Sequence, residues 1–202
     1  PLSVGWWAVA SGERVDGYPI TFPRGALIRY AEWYGGALGQ PNVGIRLESE
    51  AIAEGIDSRE RRRREERLRF DRVADPSIFD RSDGPSKAER MATATKGRVQ
   101  WRPADNSRKA GWDNLRKYLR GVEPCIPLLY VAENCVDWIR TVPVLDRDQD
   151  DWEDVDTEQE DHAGDETRYC VQSRAKPKQT RAEEARSRTR NTYTPFDEAA
   201  GF

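Results

Sequence analysis

The chain has 202 residues, of which 37% are hydrophobic and 34% are charged, and its formal net charge is −3. This composition predicts one globular domain with some additional polar sequence, and it excludes a chain with too little apolar material to form a core. No apolar run approaches the ~20 residues of a membrane-spanning helix, and no signal peptide is present, so a cytosolic protein without a membrane partner is expected. The three cysteines lack the paired short spacings of zinc ribbons and are expected to be reduced.

The N-terminal half shows strand patterns followed by a helical one. Branched and aromatic residues mark the strands, and Ile52 and Ile56, four residues apart, indicate the helix. The predicted elements are strands at residues 3–10 and 26–34, a loop at residues 35–44, a helix from residue 49 through residues 59–67, and a strand at residues 68–74. The last strand is expected to stop at Asp75, because Pro76 disfavours its continuation.

The C-terminal half alternates between helix and strand patterns. Gly97 is predicted to stop one helix, Ser107 to cap another, and Thr157 with Glu160 to form the capping box of the last helix. The predicted elements are helices at residues 85–96, 107–121, from 134 to 143 and 158–173, with strands at residues 99–102 and 127–131. Antiparallel strands followed by strand–helix crossovers predict an α/β fold, a mixed sheet with helices on both faces.

Charge is distributed unevenly along the chain. Residues 146–166 hold twelve acids and one arginine, so the remainder of the chain carries +8. A basic body around an acidic patch suits a metal-dependent enzyme that acts on a polyanion, and it equally suits a protein with an arbitrary acidic loop. Residues 1–174 are predicted to form the domain, and residues 175–202 a flexible basic tail.

Four residues are candidates for metal-dependent chemistry. Asp75 follows a predicted strand, where ligands bind in open α/β sheets, although this motif alone favours an Asp-Pro turn. Asp161 and Asp165 lie four apart on the last helix and could share a cation, with His162 as a ligand or proton shuttle beside them. The alternative for this group is a solvated acidic helix start. The chain has neither a GxxxxGK[ST] loop nor a GxSxG motif, so a P-loop motor and a serine hydrolase are not predicted.

Two basic pairs are candidates for contact with DNA phosphates. Arg108 and Lys109 lie at the predicted start of a helix, where backbone N–H groups also favour an anion. Arg61 and Arg62 lie in the charged run of the first helix, where mixed charge is equally explained by solvation.

Four blocks of sequence resemble one protein family in the right order. They are residues 22–26 with 32–35, residues 74–79 with 84–86, residues 103–106 with 108 and 111–112, and residues 153–157 with 160–162, 165 and 168–169. Together these blocks resemble the C-terminal nuclease domain of the large terminase subunit of tailed bacteriophages, and they cover most of residues 1–174.

The resemblance implies a ribonuclease H-like fold with two Mg²⁺ or Mn²⁺ ions that cuts concatemeric double-stranded viral DNA during packaging. Asp75 and Asp165 match the family's acids on the fourth strand and the last helix, with Asp161 and His162 close by. The implied partners are an N-terminal ATPase domain of the same parent chain, the small terminase subunit and the portal. The implied location is the cytoplasm of an infected or lysogenic bacterial host.

The chain departs from the family pattern at its N-terminus. The family has a first, central strand that carries another aspartate, and this strand would precede Pro1. The chain is therefore expected to be an incomplete domain that lacks this strand and has little or no nuclease activity alone. Two alternatives remain open: a non-catalytic docking or DNA-binding module of the packaging motor, and a related junction resolvase, against which the third and fourth blocks argue.

Overall fold

The computed structural model describes residues 1–173 except residues 15, 18, 38–39, 83 and 123–125, so the predicted tail at residues 175–202 lies outside the described residues. The strands are β1 (Ser3–Val9), β2 (Leu27–Tyr34), β3 (Gly36–Ala37), β4 (Gln40–Gly44), β5 (Val73–Ala74), β6 (Arg102–Pro103) and β7 (Leu129–Val131). The helices are α1 (Ser49–Glu65), α2 (Lys87–Ala94), α3 (Arg108–Arg120), α4 (Val136–Thr141) and α5 (His162–Ser173), with 3₁₀ turns at Pro76–Phe79 and Val142–Val144.

The predicted α/β class is confirmed, with a mixed sheet flanked by helices. β1 pairs antiparallel with β2, and β2 pairs parallel with β7. Among the described residues, β5 and β6 form a separate parallel pair, and β3 and β4 form a third, two-stranded sheet. β1 and β5 are therefore both edge strands, and neither is hydrogen-bonded to the other.

Two hydrophobic clusters pack on opposite faces of β1. Side chains of adjacent strand residues point to opposite faces, so Trp6 and Trp7 enter different clusters. Trp6 packs with Ile56 of α1 and Met91 of α2, whereas Trp7 packs against the cluster that contains Trp112 of α3. The sheet is thus covered on one side by α1 and α2 and on the other by α3 and α5.

Helix α2 shows the clearest agreement between sequence and local structure. Ser86 is its N-cap, and Ser86 and Glu89 form a reciprocal capping box. Gly97 has a φ of 76° and donates its N–H to the carbonyl of Ala92 at 2.8 Å, which fits its predicted role as a stop signal. No helix of the described residues has both the length and the apolar character needed to cross a membrane.

The bounds of three predicted segments, one loop and two strands, were wrong. The predicted loop at residues 35–44 contains the β3–β4 pair. Of the predicted strand at residues 68–74, only Val73–Ala74 is a strand in the structure, and the guanidinium of Arg72, just before it, binds the buried carboxylate of Glu60. The predicted strand at residues 99–102 pairs only at Arg102–Pro103, because the N–H of Val99 is bound by the Thr95 hydroxyl (3.1 Å) at the end of α2.

The predicted capping box at Thr157 and Glu160 was also wrong. α5 begins at His162, and the residues before it form turns. The carboxylate of Glu160 instead accepts hydrogen bonds from Tyr34 (2.8 Å) and Arg140 (2.7 and 2.9 Å). Because these distant residues bind the Glu160 carboxylate, it is not available to form a capping box with Thr157.

Candidate functional site

A cavity of about 500 Å³ lies along the edges of β1 and β5. Residues 1–7 line one part of it and residues 69–75 another, so the backbones of both edge strands border the cavity. Apolar side chains from α1 and α2 form one wall, including Ile56 and Met91. The opposite wall is α5, which contributes polar side chains.

Asp75 lies at the end of β5, on the rim of this cavity. Its Oδ1 accepts the backbone N–H of Ser77 at 2.8 Å, and its Oδ2 accepts the hydroxyl of Tyr169 from α5. Burial acts to raise the pKa of Asp75, but these hydrogen bonds outweigh it and hold the pKa below its usual value. Burial and the same carboxylate raise the pKa of Tyr169, which therefore stays protonated and donates. Asp75 is both the Asp-Pro turn residue and a cavity residue.

Asp165 and His162 of α5 line the same cavity. The Asp165 carboxylate accepts from Nε of Arg168 at 3.1 Å and lies 3.6 Å from a guanidinium nitrogen of Arg108. Burial lowers the pKa of His162, and its Nε2 has no hydrogen-bond partner within the described part of the chain. Asp75, His162 and Asp165 thus all line one cavity.

Asp161 is placed differently from these three residues. It lies immediately before the first turn of α5, where its carbonyl accepts the N–H of Asp165 at 2.8 Å, and it does not line the cavity. The residue is only 6% exposed. Burial, reinforced by the negative charge of Asp165, raises the pKa of Asp161 to about 6. The positive charge near this acid pair comes from Arg108 and Arg168.

The described residues alone do not make a metal cage. Within them, no three His, Cys, Asp or Glu side chains are grouped so that they could hold one metal ion. Asp75 and Asp165 line one cavity, but Asp165 is paired with two arginines, and within the described residues no third side chain, His162 included, is grouped with them so that all three could hold one metal ion. A pair of divalent ions would need at least one further acid at this cavity.

Glu166 is a cavity residue that the sequence analysis missed. Although it follows Asp165 directly, its carboxylate accepts from Arg29, which is 0% exposed, and from Nε1 of Trp7 at 2.8 Å. Arg29 also lies 3.4 Å from Glu32, whose oxygens accept the first N–H groups of α4. Glu166 therefore belongs to a buried ion-pair network between the sheet and α5. The available sequence signal was a pair of opposite charges, Arg29 and Glu32, within a strand whose other residues are apolar or aromatic.

The basic side chains of α3 that were predicted to contact phosphates are paired with acidic residues of the same chain. Nε of Arg108 donates to both oxygens of Asp154 (2.8 and 3.1 Å), and Nζ of Lys109 lies 2.7 Å from Asp151 and 3.6 Å from Glu153.

The other predicted pair, Arg61 and Arg62, lies on α1 and does not line the cavity. Arg62 is largely exposed and pairs with Glu66 at 3.2 Å. The structure therefore does not bring this pair to the acids of α5.

Comparison of the chain with protein-family models, with curated proteins and with solved structures gave no match.

Proposed function

We propose that the chain is a nuclease module of the kind found in large terminase subunits of tailed bacteriophages, with double-stranded DNA as its substrate. The observation that carries this proposal is the convergence of Asp75 and Asp165. These residues are 90 positions apart in sequence, yet they line one cavity, and Asp75 accepts a hydrogen bond from Tyr169, which follows Asp165 by four residues on α5. An acid at the end of a strand and an acid on the last helix are the pair that the family resemblance implies.

Contacts between the resembling blocks also support the proposal. Asp75 of the second block is bonded to Tyr169 of the fourth. Arg108 of the third block is bonded to Asp154 of the fourth, and the guanidinium of Arg168 lies 5.9 Å from the ring centroid of Trp112. The second and third blocks therefore both contact the fourth, as expected if they build one site.

The cavity also supports a finer proposal about the sheet. A ribonuclease H-like sheet would have one further strand between β1 and β5, and two seven-residue segments that include parts of these strands, residues 1–7 and 69–75, line the cavity. A strand of that length extends ~23 Å at ~3.3 Å per residue. We propose that such a strand, from outside the described residues, joins the two sheets and supplies the acid that the two-metal site lacks.

A second candidate function is a non-catalytic module that docks in the packaging motor or binds DNA. The observation that favours it is the neutralisation of Asp165 by Arg108 and Arg168, together with the lack of a three-ligand group in the described part of the chain. In this alternative the acids serve only to fix α5.

Mn²⁺ binding separates the two functions. Asp75→Asn and Asp165→Asn are the informative variants, because an amide oxygen still accepts from Tyr169 and Arg168 while the charge is lost. Asp80→Asn is the matched control, since Asp80 is exposed, lies outside the cavity and only caps Ser82. The nuclease proposal expects weak Mn²⁺ binding by calorimetry that either site variant abolishes and the control preserves. Binding unaffected by both site variants, or absent from the unaltered chain, supports the docking module.

Plasmid nicking with Mn²⁺ tests the proposed extra strand. The 202 residues alone are expected to nick little or not at all, because the described residues do not provide a complete two-metal ligand set. Robust nicking that Asp75→Asn abolishes would keep the nuclease proposal and refute the need for another strand.

A further inference from the structure

Helix α3 has a basic face formed by Arg108, Lys109 and Arg116. Arg116 follows Arg108 by eight positions and Lys109 by seven, about two helical turns, so the three side chains project from one side of the helix. Arg108 also approaches Asp165 at the cavity rim. An anion bound on this basic face would therefore lie beside the candidate site.

An acidic segment of the same chain covers the basic face. The segment, residues 146–156, contains seven acids and one arginine. An antiparallel bridge between Arg147 and Val155 closes it into a loop, and buried Val155 anchors it.

The contacts between the segment and the basic face are mostly charged. Asp154 is bonded to Arg108 at 2.8 Å, and Asp151 lies 2.7 Å from Lys109. The carbonyl of Glu153 accepts from Arg116 at 3.1 Å. All three basic side chains of the face are thus held by the segment.

These ion pairs are weak enough to exchange. The charged side chains are all partly solvent-accessible, from 20% for Asp154 to 55% for Lys109. Exposed ion pairs contribute ~0–1 kcal/mol each and are screened by salt. A duplex that presents phosphates at high density can replace them without breaking the core.

We propose that the basic face binds the phosphodiester backbone of duplex DNA, and that the acidic segment is its internal competitor. The inference rests on the proposed function only in taking DNA as the partner. DNA binding then exchanges Asp151, Glu153 and Asp154 for phosphates and leaves one phosphate beside Arg108 at the cavity rim. Because DNA phosphates replace the carboxylates that already neutralise the basic face, few counterions are released when the intact chain binds DNA.

The test compares two variants with the same net charge. The first, Asp151→Asn/Glu153→Gln/Asp154→Asn, removes the acids that face α3. The matched control, Asp148→Asn/Asp150→Asn/Asp156→Asn, removes three acids of the same segment for which the structure shows no pairing with α3. Duplex DNA affinity is measured by fluorescence anisotropy across a range of salt concentrations, after circular dichroism confirms folding.

The first variant is expected to bind duplex DNA about tenfold more tightly than the control at ~0.1 M salt. Its plot of log affinity against log salt should be steeper by about 2, since Arg108 and Lys109 each gain a phosphate at ~0.9 per contact. Adding Arg108→Ala/Lys109→Ala should return both quantities to the control values. Equal tightening in the two triple variants, or none in either, overturns the proposal.

A milder variant keeps the test valid if the first variant does not fold. Asp151→Asn/Glu153→Gln leaves Asp154 and its bonds to Arg108 and Val155 intact and frees only Lys109. It should still tighten binding about threefold, and Lys109→Ala should cancel the gain; no gain overturns the proposal. Failure is distinguishable from failure of the proposed function, because Mn²⁺ binding at Asp75 and Asp165 is measured in a chain whose acidic segment is unaltered.

Discussion

Replacing Glu166 with alanine should severely destabilise the protein, even though the residue lines a cavity. The carboxylate is the partner of Arg29, which is fully buried and whose Nε already lacks a hydrogen-bond partner in the described structure. It also accepts the indole N–H of Trp7 at 2.8 Å. After the substitution, Glu32, 3.4 Å away, would be the only carboxylate still paired with Arg29.

The expected loss in the free energy of unfolding is about 4 kcal/mol. Removing one partner of a buried ion pair costs ~3–5 kcal/mol, because the other charge stays buried without compensation. The orphaned N–H of Trp7 adds to this, whereas the remaining attraction to Glu32 offsets part of it. A domain is stable by only ~5–15 kcal/mol, so the change removes a large share of the total.

Urea unfolding at pH 7, followed by tryptophan fluorescence, measures the effect. Glu166→Gln should cost about half as much as alanine, because the amide oxygen still accepts from one donor. Glu65→Ala on the exposed end of α1 is the control and should change stability by less than ~0.5 kcal/mol. A loss below ~1 kcal/mol for Glu166→Ala would refute the reasoning and would show that Arg29 finds other partners.

Three further predictions concern the surroundings of the cavity. Because the pKa of Asp161 is raised to about 6 in the folded state, above ~3.9 unfolded, its ionisation costs stability as pH rises. Asp161→Asn should therefore stabilise the protein by roughly 2–3 kcal/mol at pH 8 and far less at pH 4, measured by urea unfolding. Tyr169→Phe removes a donor and should raise the pKa of Asp75, which carboxyl NMR would report; an unchanged pKa would contradict the contact. A Cβ on Gly111 would overlap the side chain of Arg168, so Gly111→Ala should cost ~1–2 kcal/mol despite alanine's higher helix propensity, and a gain would contradict the close packing of α3 on α5.

Local sequence signals predicted the elements well where their partners are also local. The helix predicted at residues 85–96 begins at a capping box of Ser86 and Glu89, which are three residues apart, so its start needs no tertiary information. The similar pattern at Thr157 and Glu160 does not form a capping box, because Glu160 binds Tyr34, which is 126 positions away. The two patterns have different outcomes because a distant side chain binds the glutamate of the second.

The candidate site could be predicted in part for the same reason. Asp75 was predicted from the proline that follows it, and Asp165 from its spacing to Asp161. The link from Asp75 to Tyr169 spans 94 positions, and the network of Glu166 and Arg29 spans 137. No periodicity encodes such pairs, so the sequence could not show that adjacent acids of α5 have different roles.

Arg108 connects the two proposals, because it touches both the acidic segment and Asp165. Arg108 is already paired with Asp154 in the intact chain, so the link is clearest in an Asp154→Asn variant, where the freed guanidinium repels a cation at Asp165 and a DNA phosphate on Arg108 neutralises that charge. DNA and Mn²⁺ should therefore bind cooperatively in this variant, and linkage requires each to raise the affinity of the other equally. The expected result is tighter Mn²⁺ binding in the presence of a short duplex, after correction for binding to the duplex alone, with the coupling lost in Asp165→Asn. Coupling that persists in Asp165→Asn would place the metal elsewhere, and tight but uncoupled binding of both ligands would show that Arg108 does not link them.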